Sequence, residues 1–273
     1  MHNTIIIRYG EIALKGGNRV IFEKRLVSNV RSFLKNNKIR YDSITRNRGR
    51  ILISTKEKSS CLHRVFGIIS FSYAVKTKAD IKEISNQCLK LAANNLDKRK
   101  TFKIDTNRAD KRFKFNSLDV NRVVGKLIQD KTQAEVKLKN PDLTISIEIA
   151  DHAYIFTSSN TCPGGLPIGV EGQAYALIED NNSILAAILA MKRGCSIFPV
   201  AYKEINIDLL KKFDPNIKLK IIKNIGDIDA NIPLITGQTL GGVKKPNNSL
   251  ILRPLIAFDT QNINEKLDFY SKL

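Results

Sequence analysis

The chain has 273 residues, 42% of them hydrophobic and 26% charged, and a formal net charge of +19. That length suits two or three modest domains, and the apolar share is enough for real cores. The charge points to a polyanionic partner, while no run reaches the ~18 consecutive apolar residues of a membrane span. In chain order, Ile5–Arg8 reads as a buried strand. Asn18 is placed to cap a helix to about Asn36, with Val20, Phe22, Leu26, Val30, Phe33 and Leu34 near helical spacing. Ile39–Arg46 and Arg50–Thr55 alternate like strands about a turn at Asn47-Arg48-Gly49. A short helix around Ser60–Phe66 and a strand over Ser70–Thr77 follow. Strand–helix–strand–strand–helix–strand is the ferredoxin-like order, which sets a first domain at residues 1–76.

A second block opens at Asp80, expected to cap a helix running to Leu96. Thr101–Asn107 reads as a strand and Arg108–Lys114 as a basic loop. Ser117 starts another helix, with Leu118, Val120, Val123, Val124, Leu127 and Ile128 expected inside. Val136–Leu138, Leu143–Ala150 and Tyr154–Thr157 look like strands. Residues 162–172 are a linker by composition, rich in Pro and Gly. Strands at Ala174–Ile178, Ile197–Ala201, Lys218–Ile222, Pro233–Ile235 and Leu250–Leu252 then alternate with helices at Ser183–Arg193, Ile205–Lys212 and Gln261–Leu273. That alternation implies a parallel α/β sheet over residues 173–273.

The charge is uneven. Residues 1–165 hold 32 Lys and Arg against 15 Asp and Glu, and residues 166–273 hold 13 against 11. The polyanion surface therefore belongs to the first part of the chain. Within it, Asn107-Arg108-Ala109-Asp110-Lys111-Arg112-Phe113-Lys114-Phe115 combines four cations with two aromatics. Cations neutralise phosphates and aromatics can stack on unpaired bases, although paired phenylalanines also serve to anchor a loop to a core. Arg122 and Lys126 lie four apart, on one face of the next helix. Lys15 and Arg19 flank the glycine pair Gly16-Gly17, a weak phosphate-loop signal.

Leu177–Ser183 stands where a strand hands over to a helix. A nucleotide-binding enzyme places glycines at such a turn, so that backbone N–H groups and the helix N-terminus meet phosphate. Glu179, Asp180, Asn181, Asn182 and Ser183 supply none. The loop Thr236-Gly237-Gln238-Thr239-Leu240-Gly241-Gly242 lies where α/β folds bind ligands, and without a phosphate loop opposite it reads as a remnant. Cys61, Cys88, Cys162 and Cys195 are far apart and form no Cys-x-x-Cys pair, so neither a disulfide framework nor a metal site is expected. Met1–Thr4 lacks the basic start of a signal peptide, and a cytoplasmic protein with reduced thiols is expected. Cys195 is the one nucleophile candidate late in the chain, with no histidine in residues 153–273 to serve as base.

Several stretches together resemble the tRNA 4-thiouridine synthetases, or tRNA sulfurtransferases. They are Tyr9–Arg19 with Phe22–Leu26; Arg108–Lys111 with Leu118–Arg122; Val136–Asp142; Gly164–Gly169; Met191–Cys195; Ile235–Gly241; and Leu252–Ile256. The resemblance implies an N-terminal ferredoxin-like domain, then a THUMP domain over residues 77–161. The two grip tRNA at its acceptor stem and 3′ end. It also implies a pyrophosphatase-loop domain that adenylates uridine with ATP before a cysteine persulfide delivers sulfur, in some organisms also for thiamine synthesis. The family's Ser-Gly-Gly-x-Asp-Ser loop falls on Ile178–Ser183, of which only Ser183 matches. Residues 196–235 contain no cysteine where the family has its catalytic one, the span between the two loops is short, and no sulfur-carrying rhodanese domain is expected.

The expectation is thus a tRNA-binding protein with a shortened, degenerate third domain. It would have no catalytic residue, no bound cofactor and no metal, and would serve a separate catalytic subunit or sulfur donor. Phosphate contacts are expected at Arg108, Lys111, Arg112, Lys114, Arg122 and Lys126, with Lys15 and Arg19. Glu179, Asp180, Asn181, Asn182, Ser183, Gly237 and Gln238 are expected as a vestigial nucleotide site. Two alternatives stay open: an active sulfurtransferase that binds ATP differently, and a thiamine-pathway sulfur carrier using Cys195 or Cys162.

Overall fold

The computed structural model describes residues 2–47, 49–242 and 250–273. Arg48, in the turn expected between the second and third strands, lies outside them. The chain divides into two compact units.

The first unit comprises residues 1–7, 41–58 and 71–160. Its strands are β1 (Thr4–Arg8), β2 (Ser43–Asn47), β3 (Arg50–Ser54), β4 (Ser70–Lys78), β5 (Thr101–Arg108), β6 (Glu135–Val136), β7 (Leu143–Ile149) and β8 (His152–Phe156). They form one sheet in the order β2-β3-β1-β4-β8-β7-β5-β6, with β9 (Asn160–Thr161) pairing beside β4. Strand β4 therefore belongs to both halves: it ends the ferredoxin-like strands and pairs antiparallel with β8. Strands β5 and β7 run parallel from Phe102↔Leu143 to Arg108↔Ile149, as a crossover between them allows.

Period-2 alternation buries Ile145, Ile147 and Ile149 of β7 against two helices, α2 (Ile81–Ala93) and α3 (Ser117–Thr132). Asp80 caps α2 as expected, its Oδ1 accepting from the N–H groups of Lys82 and Glu83 at 2.9 and 3.1 Å. The α2 helix stops at Ala93, short of Leu96. Ser117 opens α3 as expected, and Asn116 caps it by accepting from Asp119 N–H at 2.9 Å. The α3 face is narrower than its apolar residues suggested. Val120, Val124 and Ile128 are buried, whereas Leu118 and Val123 face solvent.

The second unit comprises residues 8–40, 59–70 and 161–273. It includes the first long helix, α1 (Arg19–Asn36). Asn18 precedes α1, but its side chain makes no cap bond, because a short 3-10 turn over Gly16–Asn18 already leads into the helix. Val20, expected inside, is exposed, and Val27 is buried instead.

Five strands form a wholly parallel sheet among the described residues. They are β10 (Gln173–Leu177), β11 (Ser196–Ala201), β12 (Lys220–Ile221), β13 (Leu234–Ile235) and β14 (Ile251–Leu252), ordered β12-β11-β10-β13-β14. The order reverses at β10, so a topological switch point lies between β10 and β13. Helix α4 (Asn181–Lys192) is apolar nearly all round and accordingly buried, with Ile184 to Ile188, Ala190 and Met191 in the core. The short α5 (Asp208–Lys211) and α6 (Thr260–Lys272) complete that layer. The Pro/Gly stretch is packed rather than free. Leu166 N–H donates to Lys192 O at 2.9 Å and Gly169 N–H to Gly194 O at 2.7 Å. A Cβ on Gly165 would lie 2.3 Å from Lys192 O, so only glycine fits there.

Candidate nucleic-acid interface

The basic loop after β5 is organised by its own first arginine. Arg108 Nη1 donates to the carbonyls of Phe113 and Phe115 at 3.0 and 3.1 Å, closing the loop on itself. Phe113 and Phe115 pack on the core beneath α2 and α3, their centroids 6.0 Å apart. They anchor the loop to that core. Arg112 is turned inward electrostatically. Its guanidinium forks onto Asp110, with contacts of 2.7 to 3.1 Å, and lies 3.8 Å from Asp151. The Asp110 carboxylate holds the Arg112 pKa above its ordinary value. Lys111 and Lys114 remain exposed without an ion pair among the described residues, and so does Lys126 on α3. Arg122 makes a loose contact with Asp119 at 3.8 Å and stays largely in solvent.

Lys15 and Arg19, in the second unit, are spent on internal partners. Lys15 Nζ pairs with Glu171 at 3.0 Å and sits 4.6 Å over the Phe22 ring. Arg19 Nε pairs with Glu23 at 2.8 Å, and its Nη2 donates to the Tyr9 hydroxyl, which itself donates to Glu23. Burial and that carboxylate push the Tyr9 pKa up.

The turn from β10 into α4 is closed by its own side chains. Asp180 is the N-cap, and its Oδ1 takes the Ser183 N–H at 2.8 Å. Ser183 Oγ accepts the N–H groups of Glu179 and Asp180, each at 2.9 Å, and donates to Asp180 O at 2.7 Å. This capping box occupies N–H groups that a phosphate loop offers to its ligand. Gly237 seals the same spot, since a Cβ there would lie 2.4 Å from Ser183 N. Glycine is required here by close backbone approach. The turn and the Thr-Gly loop border a cleft of about 540 Å³ at the switch point, where α/β folds take ligands. Its described lining carries the carboxylates of Glu179 and Asp180 and no lysine or arginine. Arg253 stands behind it, Nε donating to Gln238 Oε1 at 2.9 Å. The cleft lies where a parallel α/β sheet takes a ligand, and its described lining is acidic.

The spacing Asp180-x-x-Ser183 is itself a capping signature and was legible. Tyr202, which also lines the cleft, carries no signal in the sequence. No group of three or more His, Cys, Asp or Glu able to hold a metal occurs among the described residues. All four thiols are pushed up by burial, Cys88 and Cys162 to about 12, and Glu171 adds to the effect at Cys195.

A ferredoxin-like set of strands joined to a helix-backed set through one sheet defines a two-part α+β module. The family models agree: the ThiI ferredoxin-like domain matches residues 4–72 and the THUMP domain residues 78–158. A probable tRNA sulfurtransferase of Natranaerobius thermophilus is 39% identical over 212 residues, spanning 72% of this chain and 51% of that protein. One of Bacillus licheniformis is 31% identical over 323 aligned positions, 96% of this chain and 80% of the relative. The chain belongs to the tRNA sulfurtransferase family. Those 323 positions exceed its own 273 residues, so that relative carries segments absent here. PH1313 from Pyrococcus horikoshii superposes with a TM-score of 0.87 at 30% identity, covering 98% of this chain and 99% of that one. A 4-thiouridine synthetase in complex with RNA and bound ATP shares the fold, with a TM-score of 0.78 at 24% identity over 99% of this chain and 85% of its own.

Proposed function

We propose that this chain is a cytoplasmic tRNA-binding protein, built on the sulfurtransferase plan, that performs no ATP-dependent chemistry of its own. The closed turn at Asp180 and Ser183 carries this reading. Phosphate brought there would face two carboxylates within a few ångströms, a repulsion of several kcal/mol at about ε 20. The four raised thiols support the same conclusion for sulfur handling, because the thiolate is the nucleophile.

In this reading residues 1–76 and 77–161 are the tRNA-gripping domains, 162–172 join them to the rest, and 173–273 are a platform for a separate catalytic subunit or sulfur donor. The family-model matches support the first two boundaries. Lys111, Lys114 and Lys126 contact phosphate directly, since none of them forms an ion pair among the described residues. Arg112 and Arg122 add to them by exchanging an acidic partner for a phosphate. Arg108, Lys15 and Arg19 act by holding the surface in shape. The acceptor stem and 3′ end of tRNA are the expected target.

The test is tRNA affinity measured against salt concentration. Lys111→Glu combined with Arg112→Glu should weaken binding and flatten the salt dependence, and an unchanged affinity and slope would falsify the assignment.

A second reading has a specific observation behind it: the named relatives are probable tRNA sulfurtransferases. It requires ATP in a different pose and sulfur from a small donor or partner protein. Thiolated uridine in tRNA after incubation with ATP, a cysteine desulfurase and cysteine would establish it. A persulfide on Cys195 or Cys162 under the same conditions would establish a sulfur carrier.

A further inference from the structure

A smaller cleft, of about 150 Å³, lies within the second unit, where α1 meets the Pro/Gly stretch and the start of β11. Three residues of its lining, Arg25, Asn29 and Ser32, share one face of α1 at i, i+4 and i+7. Ser196 enters from the start of β11, and Asp214 and Asn216 from the turn after α5. The floor is a stacked aromatic pair, Phe66 and Phe213, buried with centroids 4.9 Å apart. Asn29 Nδ2 donates to Ile168 O at 3.2 Å and ties the Pro/Gly stretch to the helix. The other donors around the cleft have no acceptor. The side chains of Arg25, Ser32, Ser196 and Asn216 form no hydrogen bond or ion pair among the described residues. The Arg25 guanidinium is held in place all the same. A Cβ on Gly169 would lie 3.2 Å from Arg25 Cζ and 3.1 Å from Ser196 Oγ, so glycine, at φ +90°, leaves the space that guanidinium and hydroxyl flank together. The carboxylate of the lining, Asp214, does not pair with Arg25. Its Oδ1 accepts from the Asn216 N–H at 3.0 Å, and its Oδ2 is uncommitted. The helix adds a field of the same sign as Arg25: Lys24, Arg31 and Lys35 are exposed, and its one acid, Glu23, is held by Arg19 and Tyr9.

We propose that this cleft binds a single phosphate group, inorganic or a monoester, with oxygens on the Arg25 fork and on Ser32, Ser196 and Asn216, and a remaining proton donated to Asp214. A guanidinium matches two phosphate oxygens at once, and hydroxyls and an amide serve as further donors. Asp214 decides which anion fits. A phosphomonoester, with a second pKa of about 6, keeps a proton that an aspartate oxygen can accept. Sulfate and the phosphodiesters of an RNA backbone are fully ionised and offer that oxygen only repulsion. Two sources carry this chemistry: a free phosphate ion, and a 5′-terminal phosphate on a bound RNA. The assignment stands apart from the reading that ATP chemistry is absent, since it involves none of the residues around the β10–β13 cleft.

Calorimetry on the RNA-free full chain at pH 6 and constant ionic strength tests the assignment, with inorganic phosphate as ligand and sulfate as control. One phosphate per chain is expected, with sulfate at least tenfold weaker. Arg25→Ala should weaken phosphate at least tenfold, and Arg25→Lys, which keeps the charge but loses the fork, several-fold. Asp214→Asn should close the gap between the two anions by strengthening sulfate, which a diffuse cationic surface would not do. Absence of phosphate binding, equal binding of phosphate and sulfate, full phosphate affinity in both Arg25 variants, or an unchanged preference in Asp214→Asn overturns the inference. The source is read from tRNA affinity with and without its 5′-phosphate. A loss on dephosphorylation that Arg25→Ala no longer shows assigns the RNA terminus, and no loss, with phosphate binding intact, assigns the free ion.

Discussion

At the scale of single residues, the basic loop separates cations that build from cations that are free. Arg108 holds two carbonyls of its own loop. Arg108→Ala should therefore lower stability by about 1.5–3 kcal/mol in urea unfolding and speed amide exchange across residues 109–115. Lys111→Glu and Lys114→Glu should leave stability within about 0.5 kcal/mol and instead reduce the slope of log affinity against log salt by roughly 0.7–0.9 per lost phosphate contact. Burial pushes the Cys162 thiol up to about 12, which favours the neutral form throughout the physiological range. Its alkylation by iodoacetamide at pH 8, followed by mass spectrometry, should be slow in the folded protein and accelerate on unfolding; fast reaction in the native state would contradict the assigned burial. The sequence placed the cations correctly on one loop. It could not say which were already paired, because that depends on the folded geometry: Arg112 meets Asp110 within the loop, while Lys15, elsewhere, meets Glu171 156 positions away.

At the scale of elements, the residues that precede α4 and α1 behave differently. Asp180→Ala removes a working cap on α4 and should cost about 1 kcal/mol, measured by thermal or urea unfolding. Asn18→Ala removes a side chain that caps nothing and should stay within about 0.5 kcal/mol. Gly237→Ala forces a methyl onto the α4 backbone and should destabilise by about 1–3 kcal/mol, whether or not any ligand is present. Element type was readable for nearly every segment, since alternation in β7 and helical spacing in α3 reflect which face is buried. Element extent was less so. Leu118, Val123 and Val20 have apolar side chains on solvent faces, which periodicity alone assigned to the interior. The two-residue strands β12, β13 and β14 are set by parallel pairing with neighbours distant in sequence, a signal absent from any local window.

At the scale of the whole molecule, charge is divided unevenly along the chain. The basic excess lies in residues 1–165, while the C-terminal sheet is nearly neutral and keeps its cleft acidic. The sequence conveyed that division directly. It did not convey that residues 8–40 and 59–70 group with residues 161–273, because such grouping depends on tertiary contacts between segments far apart in the chain. The central claim is that tRNA is held here without ATP chemistry. It is tested most directly by titrating magnesium ATP into the protein saturated with unmodified tRNA and following both heat and AMP release. The expected result is retained tRNA, no saturable heat at millimolar ATP and no AMP. Saturable ATP binding accompanied by AMP release in the presence of tRNA would contradict it.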